Sequence, residues 1–395
     1  MQYRINPKNG DSISVLGLGF MRLPRNGNRI DQEIANEIIA AAIDHGINYF
    51  DTAYIYPGSE VALGVALAAA GIRDRVFIGT KLPHYLCKKT KDFDTIFETQ
   101  LKRLQTGWVD YYHMHMLSNT QAWERLKGIG IEPWIEKKLC EGKIKNIGFS
   151  FHGGREDFLR LLDAYDWGFC LVQLNYLDEY NQAGLGGVLA ANKKGMPVFV
   201  MEPARGGLLA TGLPPDAVSA FSKVNATRTP AQWAFRWVYD HPEVTMALSG
   251  MNSIAMIAEN SATAEAAKPL TLNDAERGAY KEAISALTKS VRVPCTKCGY
   301  CMPCPYGVDI PECFSCYNNS YMMGRTSGIA QYMQVTGQTT PTPRDASRCT
   351  SCGICVARCP QSIQIPDELK RVRRRLLSFI TAPLFRLARF FMRIK

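Results

Sequence analysis

The sequence lacks any run of the roughly 20 apolar residues that a membrane-spanning helix needs. The longest uncharged stretch near the C-terminus is LLSFITAPLF, residues 376–385. The opening segment MQYRINPKNGDSISV is polar and lacks the apolar core of a signal peptide. Together these absences lead to the expectation of a cytoplasmic protein. Cysteine is scarce over the first 290 residues, where only Cys87, Cys140 and Cys170 occur. Such isolated thiols exclude a disulfide scaffold and read as small buried residues. No G-x-G-x-x-G follows the first strand-like segment, which disfavours an open dinucleotide-binding sheet. Acidic residues are missing from 371–395, where seven Arg and one Lys stand. Those cations account for all but +2 of the formal charge of +10, so the body of the chain offers no nucleic-acid surface.

What is present is a globular composition, 46% hydrophobic and 21% charged over 395 residues. From about residue 15 to 266, short apolar runs alternate with amphipathic stretches. The strand candidates are VLGLG, INYF, VFIGT, VDYYH, IKNIGF, FCLVQL, PVFVM and VTMALS. The helix DQEIANEIIAAAIDHG opens on Asp31 and closes at Gly46, matching N-cap and C′ preferences. Eight strand–helix alternations in about 250 residues predict an α/β fold, a closed (β/α)8 TIM barrel over residues 1–290. At Pro294 the composition turns rich in Cys, Pro, Gly, Ser and Tyr, so 291–370 reads as a separate small helical and loop module. Residues 371–395 form a basic tail.

Ten of the thirteen cysteines lie in that module. CTSCGICVARCP sets Cys349, Cys352, Cys355 and Cys359 in the C-x2-C-x2-C-x3-C-P order of bacterial ferredoxins. CTKCGYCMPCP sets Cys295, Cys298, Cys301 and Cys304 with one residue fewer before the last cysteine. In the two-cluster pattern the fourth cysteine of each run serves the other cluster. Cys295, Cys298, Cys301 and Cys359 would then hold one [4Fe–4S] cube, and Cys349, Cys352, Cys355 and Cys304 the other. Two zinc sites are the alternative, but zinc favours paired cysteines over three evenly spaced ones and a fourth before Pro. Cys313 and Cys316 form a further C-x2-C and read as spare thiols, eight ligands being already supplied.

The strand ends of such a barrel carry its function. They read FDTAYIYPGSE, GTKLPHY, DYYHMHML and IGFSFHG. Here residues 1–290 resemble the aldo-keto reductases, whose tetrad falls on Asp51, Tyr56, Lys81 and His115. The resemblance implies carbonyl reduction: Tyr56 supplies the proton, Lys81 eases its ionisation, Asp51 orients Lys81, and His115 donates to the carbonyl oxygen. A phenol near pKa ~10 needs such a cation. Each residue alone has a bland reading as loop cap, surface aromatic, strand-end charge or core histidine. Tyr54 competes with Tyr56, but the five-residue spacing from Asp51 selects Tyr56. His113 stands where the family usually has an apolar residue, and reads as buried and polar. His84, Tyr85 and Trp123 are expected near the mouth.

The same resemblance implies a nicotinamide dinucleotide, NAD or NADP. Ser150 and Gln173 take the carboxamide positions, although Phe151 replaces the usual Asn. Met201 stands for the aromatic that stacks on the nicotinamide. Arg205 and GGLL at 206–209 resemble the loop under the pyrophosphate. Glu259 and Asn260 match the adenine contacts, while Gly250 and Met256 replace the cations that bind a 2′-phosphate. With its cysteine module the chain resembles, over 1–366, the ferredoxin-fused branch of the family. Iron–sulfur clusters move single electrons and nicotinamide a hydride pair, so FMN is a candidate converter, without a motif of its own. The rival to an enzyme is an electron-transfer or redox-sensing subunit whose barrel binds a partner or ligand. A redox partner protein is one expected partner. The tail, Arg mixed with Leu, Ile and Phe, suits peripheral contact with an anionic membrane at its inner face.

Overall fold

The computed structural model describes residues 1–27, 29–322, 324–336 and 343–377. The chain divides into two compact units, Met1–Ala204 with Ala231–Leu272, and Arg205–Pro230 with Asn273–Lys395.

In the first unit eight parallel strands close into a barrel. They are β1 (Leu16–Gly19), β2 (Tyr49–Asp51), β3 (Phe77–Leu82), β4 (Val109–Leu117), β5 (Ile144–Phe151), β6 (Phe169–Gln173), β7 (Val198–Met201) and β8 (Val244–Ser249). Each pairs with its neighbour in chain order and β8 pairs with β1. All eight fall on the apolar runs visible in the sequence. Three of the helices in this unit begin on capping side chains. Asp31 accepts from the Ile34 amide, Asn119 from Ala122 and Ser253 from Met256.

The interior is unusually aromatic for a barrel that more often holds branched aliphatics. Tyr49, Tyr111, Phe169 and Phe199 meet with ring centroids 5.1–5.4 Å apart. Glycine on the facing strands makes room. A Cβ on Gly79 would lie 2.4 Å from the Tyr49 hydroxyl, and one on Gly148 2.6 Å from the Phe169 ring. The antiparallel hairpin Tyr3–Ile5 with Ser12–Ser14 precedes β1. From its turn, Asp11 accepts from the Tyr111 hydroxyl at 2.5 Å and Asn6 donates to it at 3.1 Å.

In the second unit helix Asp274–Ser290 packs on helix Pro215–Val224 through Phe221 and Tyr280, with ring centroids 5.4 Å apart. Arg228 bonds Glu276 at 2.8 Å beside them. The cysteine module has its own small core, in which Val308, Ile310, Phe314, Tyr332, Leu369, Val372 and Leu376 are buried. Among the described residues no helix is long and apolar enough to cross a membrane. Residues 378–395, most of the basic tail, lie outside the described residues.

Candidate functional site

Asp51 ends β2, Lys81 lies in β3 and His115 in β4, all directed inward by the two-residue period of the strands. The β2–β3 register sets Asp51 opposite Gly79, and the β3–β4 register sets Lys81 opposite His113. Lys81, 2% exposed, ion-pairs through Nζ with the Asp51 carboxylate and donates to the Thr52 carbonyl at 2.7 Å. Burial raises the Asp51 pKa and the Lys81 cation opposes that rise.

The loop after β2 returns Tyr56 over this pair. It is stitched by the Tyr56 amide to the Ala53 carbonyl at 3.0 Å and by the Thr52 and Ser59 hydroxyls at 2.6 Å. Lys81 Nζ stands 5.3 Å from the centroid of the Tyr56 ring. The rings of Tyr56 and His115 meet edge to face at 6.0 Å. Burial, then the Lys81 cation, holds the His115 pKa well below the usual histidine value, so its imidazole is neutral at physiological pH. Asp51, Tyr56, Lys81 and His115 are thus brought together. Tyr54 is drawn elsewhere: the Arg103 guanidinium lies over its ring at 4.5 Å and bonds its carbonyl at 3.2 Å. A second layer braces the loop. Buried Glu60 accepts from Thr80 at 2.7 Å, Gln100 at 2.9 Å and Arg103 at 3.0 Å.

Ser150, Gln173 and Met201 occupy the C-terminal ends of β5, β6 and β7. Ser150 Oγ accepts from the Met116 amide at 2.8 Å, leaving its O–H to donate. The Gln173 amide is held at both ends, by Asp178 at 2.9 Å and Gln182 at 2.5 Å. Gln182 in turn meets His152 Nδ1 at 3.2 Å. Phe151, the residue in place of Asn, is buried against Phe158. Beyond β8, Glu259 and Asn260 lie on helix Ile254–Glu265, with Asn260 bonded to Ser249 at 3.4 Å. Gly250 sits under the stem of Arg22, whose Cδ would be 3.2 Å from an added Cβ. Arg22 was invisible to spacing arguments, being 228 residues from Gly250 in the chain. His84 is buried and Tyr85 exposed, as a mouth position allows. Trp123 is fully buried instead, stacked 4.6 Å from Trp167, because its helix faces the barrel wall. Arg205 belongs to the second unit, where it begins three successive left-handed residues with Gly206 and Gly207.

The cysteine loops share one backbone design. Lys297 and Gly299 in the first, Ser351 and Gly353 in the second, all have positive φ. Such turns aim successive thiols toward one point. Burial and the neighbouring thiols Cys295, Cys298 and Cys359 push the Cys301 pKa up. Burial and the thiols Cys349, Cys352 and Cys304 do the same to Cys355. Like-charge repulsion of this kind requires proximity, so the fourth cysteine of each run joins the other group. Cys295, Cys298, Cys301 and Cys359 line a cavity whose remaining wall is largely apolar, including Ile310, Phe314 and Ile363. Four convergent thiols in an apolar cradle fit a thiolate-bound iron–sulfur cluster. The loops are tied together by Arg348 to the Tyr306 carbonyl at 2.8 Å. Cys313 and Cys316 lie buried on helix Ile310–Met322 in the module core.

A closed parallel barrel with a buried Asp–Lys pair under a tyrosine, joined to a cysteine-rich cluster module, defines an α/β-barrel oxidoreductase with iron–sulfur equipment. The family model described as the aldo/keto reductase family matches residues 15–277, and a 4Fe-4S dicluster domain model matches 294–363. The chain belongs to the aldo/keto reductase family. It is 28% identical over 271 residues to a methylglyoxal reductase of Escherichia coli, covering 67% of this chain and 90% of the relative. It is also 28% identical over 310 residues to an L-galactose dehydrogenase of Arabidopsis thaliana, covering 72% and 94%. Among solved structures, an aldo/keto reductase of Klebsiella pneumoniae in complex with NADP and acetate superposes with a TM-score of 0.56 at 25% identity, covering 71% of this chain and 95% of that one.

Proposed function

We propose that the protein interconverts a carbonyl and an alcohol, with Tyr56 as acid–base, a nicotinamide dinucleotide as hydride carrier and two [4Fe–4S] clusters exchanging electrons with a redox partner protein. The observation that carries the reading is the buried Lys81 cation, paired with Asp51, beneath the Tyr56 ring. Hydride addition to a carbonyl leaves an alkoxide that must take a proton as it forms. Tyr56 supplies that proton, and the adjacent ammonium stabilises the phenolate left behind. Neutral His115 donates one N–H to the same oxygen and so orients the substrate. In the alcohol-oxidising direction Tyr56 takes the proton back.

Ser150 and Gln173 are proposed to hold the carboxamide, Met201 to cover the ring, and Gly250, Glu259 and Asn260 to meet the adenosine end. The Klebsiella relative bound to NADP supports a dinucleotide of this kind. Arg22 over Gly250 offers a cation where the sequence replaces the family's own, which favours a phosphorylated ribose. Bound to the two sets of four cysteines, the clusters would supply one-electron transfer. FMN is the proposed converter between single electrons and the hydride pair. The cationic tail is proposed to rest on an anionic membrane surface, its charge being the supporting feature.

Anaerobic purification with iron, sulfide and flavin analysis, then titration with NADH and NADPH, tests the cofactor set. Eight irons per chain and nucleotide binding are expected. A colourless protein carrying zinc would overturn the electron-transfer part, and absence of nucleotide binding the hydride part.

A further inference from the structure

The barrel interior below the tetrad carries a second polar group that the chemistry above does not use. His113, on β4 and two residues before His115, is fully buried. Its ring packs perpendicular to Phe169 at 4.6 Å. Nε2 stands 3.4 Å from the Tyr49 hydroxyl and 3.8 Å from Asp51 Oδ1. The space is made by Gly79, since a Cβ there would lie 2.4 Å from the Tyr49 oxygen and 3.3 Å from His113 Nε2. The Asp51 carboxylate gives its other oxygen, Oδ2, to Lys81, and among the described residues Oδ1 has no hydrogen-bond partner. A buried carboxylate oxygen without a donor is costly, more so than a neutral group.

We propose that His113 is a positioning residue of the reductase site: its neutral imidazole carries the proton on Nε2 and turns it toward Asp51 Oδ1, holding the carboxylate ionised and aligned on Lys81. The tautomer follows from the partners. Among the described residues Nδ1 has no hydrogen-bond partner. With the proton on Nδ1 the Nε2 lone pair would face the Asp51 carboxylate, relieved only by the Tyr49 hydroxyl at 3.4 Å. A proton on Nε2 turns that repulsion into attraction and leaves Tyr49 Oη as a second acceptor. Burial, then the Lys81 cation, keeps His113 neutral rather than a competing cation. The groups facing it are Asp51 and Tyr49 from β2, Lys81 from β3, Tyr111 and His115 from its own strand, and Phe169 from β6. A neutral donor thus stabilises the anion without reducing its attraction for Lys81, which an apolar residue cannot do.

The inference rests on Asp51 and Lys81 serving Tyr56, but its test does not need turnover. In full-length, cluster-loaded protein with 15N-labelled histidine, long-range proton–nitrogen correlations of His113 identify the protonated nitrogen. Protonated Nε2 is expected, and protonated Nδ1 would overturn the proposal. Carboxyl 13C titration of Asp51, assigned with Asp51→Asn, gives the second readout. His113→Leu removes a donor to the charged form and should raise the Asp51 midpoint by roughly one unit. His113→Gln restores an N–H near the same place and should bring most of it back. An unmoved midpoint in His113→Leu, or no rescue by Gln, refutes the positioning role. Should His113→Leu fail to fold, the native tautomer and the Gln variant decide. If the contact is found but no carbonyl compound turns over in wild type, the fault lies with the proposed reaction and not with His113.

Discussion

The barrel and the cysteine module hold their chemistry in opposite ways. In the barrel, Asp51, Lys81 and His115 project from strands whose register and aromatic interior are built from the chain's own packing. In the module, seven of the eight thiols sit on loops and Cys355 on the one-turn helix Ile354–Ala357, none is buried, and a small apolar core lies behind them. A strand-borne site is preorganised by packing. A loop-borne cysteine site is completed by what it binds, and binding energy becomes folding energy. The module should therefore need its metal and the barrel should not.

The largest expected effect breaks that contrast most directly. Chelation or oxidative loss of iron should unfold the module while the barrel keeps its own cooperative transition, seen as one of two transitions disappearing in calorimetry. If the fourth cysteine is exchanged as proposed, Cys359→Ser should remove the cluster held by Cys295, Cys298 and Cys301, and Cys304→Ser the other, each leaving about four irons. If Cys359→Ser instead removed the cluster of its own run, the exchange would be wrong.

Next in size, Tyr56→Phe should lower carbonyl turnover by about 10²–10⁴-fold, the usual worth of a general acid, with iron content unchanged. Equal turnover in the variant would sink the assignment. Asp51→Leu should destabilise the barrel by about 3–5 kcal/mol, since it strands the Lys81 charge in the interior. Denaturant unfolding measures that directly, and the barrel transition should move while that of the module does not.

Much of this architecture was legible in the chain. The eight strands announced themselves because each is a short apolar run set between amphipathic stretches, and closure followed from their number. The nearness of each run's fourth cysteine to the other group was expected from the two-cluster ferredoxin spacing. Asp51, Tyr56, Lys81 and His115 were picked out by the resemblance to the aldo-keto reductases, and the barrel brings the four together. Three features could not be read. Arg22 approaches Gly250 only because β1 and β8 are neighbours in the closed sheet. Trp123 looked like a mouth residue until helix orientation placed it against Trp167. The engagement of Gln173 by Asp178 and Gln182 depends on how a loop folds back, which periodicity does not encode.

A smaller effect probes the barrel alone. His84 and His152 are both held at a pKa of about 4 by burial, with the Arg125 charge adding to the effect at His84. Unfolded, each takes a proton near ~6.5. As the pH falls through that value the unfolded chain gains protons that the folded barrel refuses. The stabilising contribution is whole above pH ~6.5 and is lost toward pH ~4, by at most about 1.4 kcal/mol per pH unit for each histidine. Denaturation midpoints measured across that window should fall with acid, and His84→Gln with His152→Gln should flatten the slope. An unchanged slope would mean that neither ring is neutral in the native state.

The smallest effect on stability is expected at the tail, and the structure says where to cut. Helix Ile365–Leu376 is amphipathic, but Leu369, Val372 and Leu376 are already buried in the module core. Its apolar face is therefore unavailable to lipid, and the residues left exposed on it are Asp367, Lys370, Arg371, Arg373 and Arg374. Arg375 is drawn inward, lying over the Tyr321 ring at 3.7 Å and bonding Ser320 at 2.6 Å. Removing 371–395 would damage the core and confuse unfolding with release. Truncation after Leu377 keeps the helix and removes three of the tail's seven Arg and its Lys. The truncated protein should keep its iron and its unfolding midpoint yet sediment less with anionic vesicles, by about 1 kcal/mol of binding for each cation lost near the surface. Vesicle binding that survives the cut, or that is indifferent to salt, would remove the membrane from the picture and leave the exposed arginines to a protein partner.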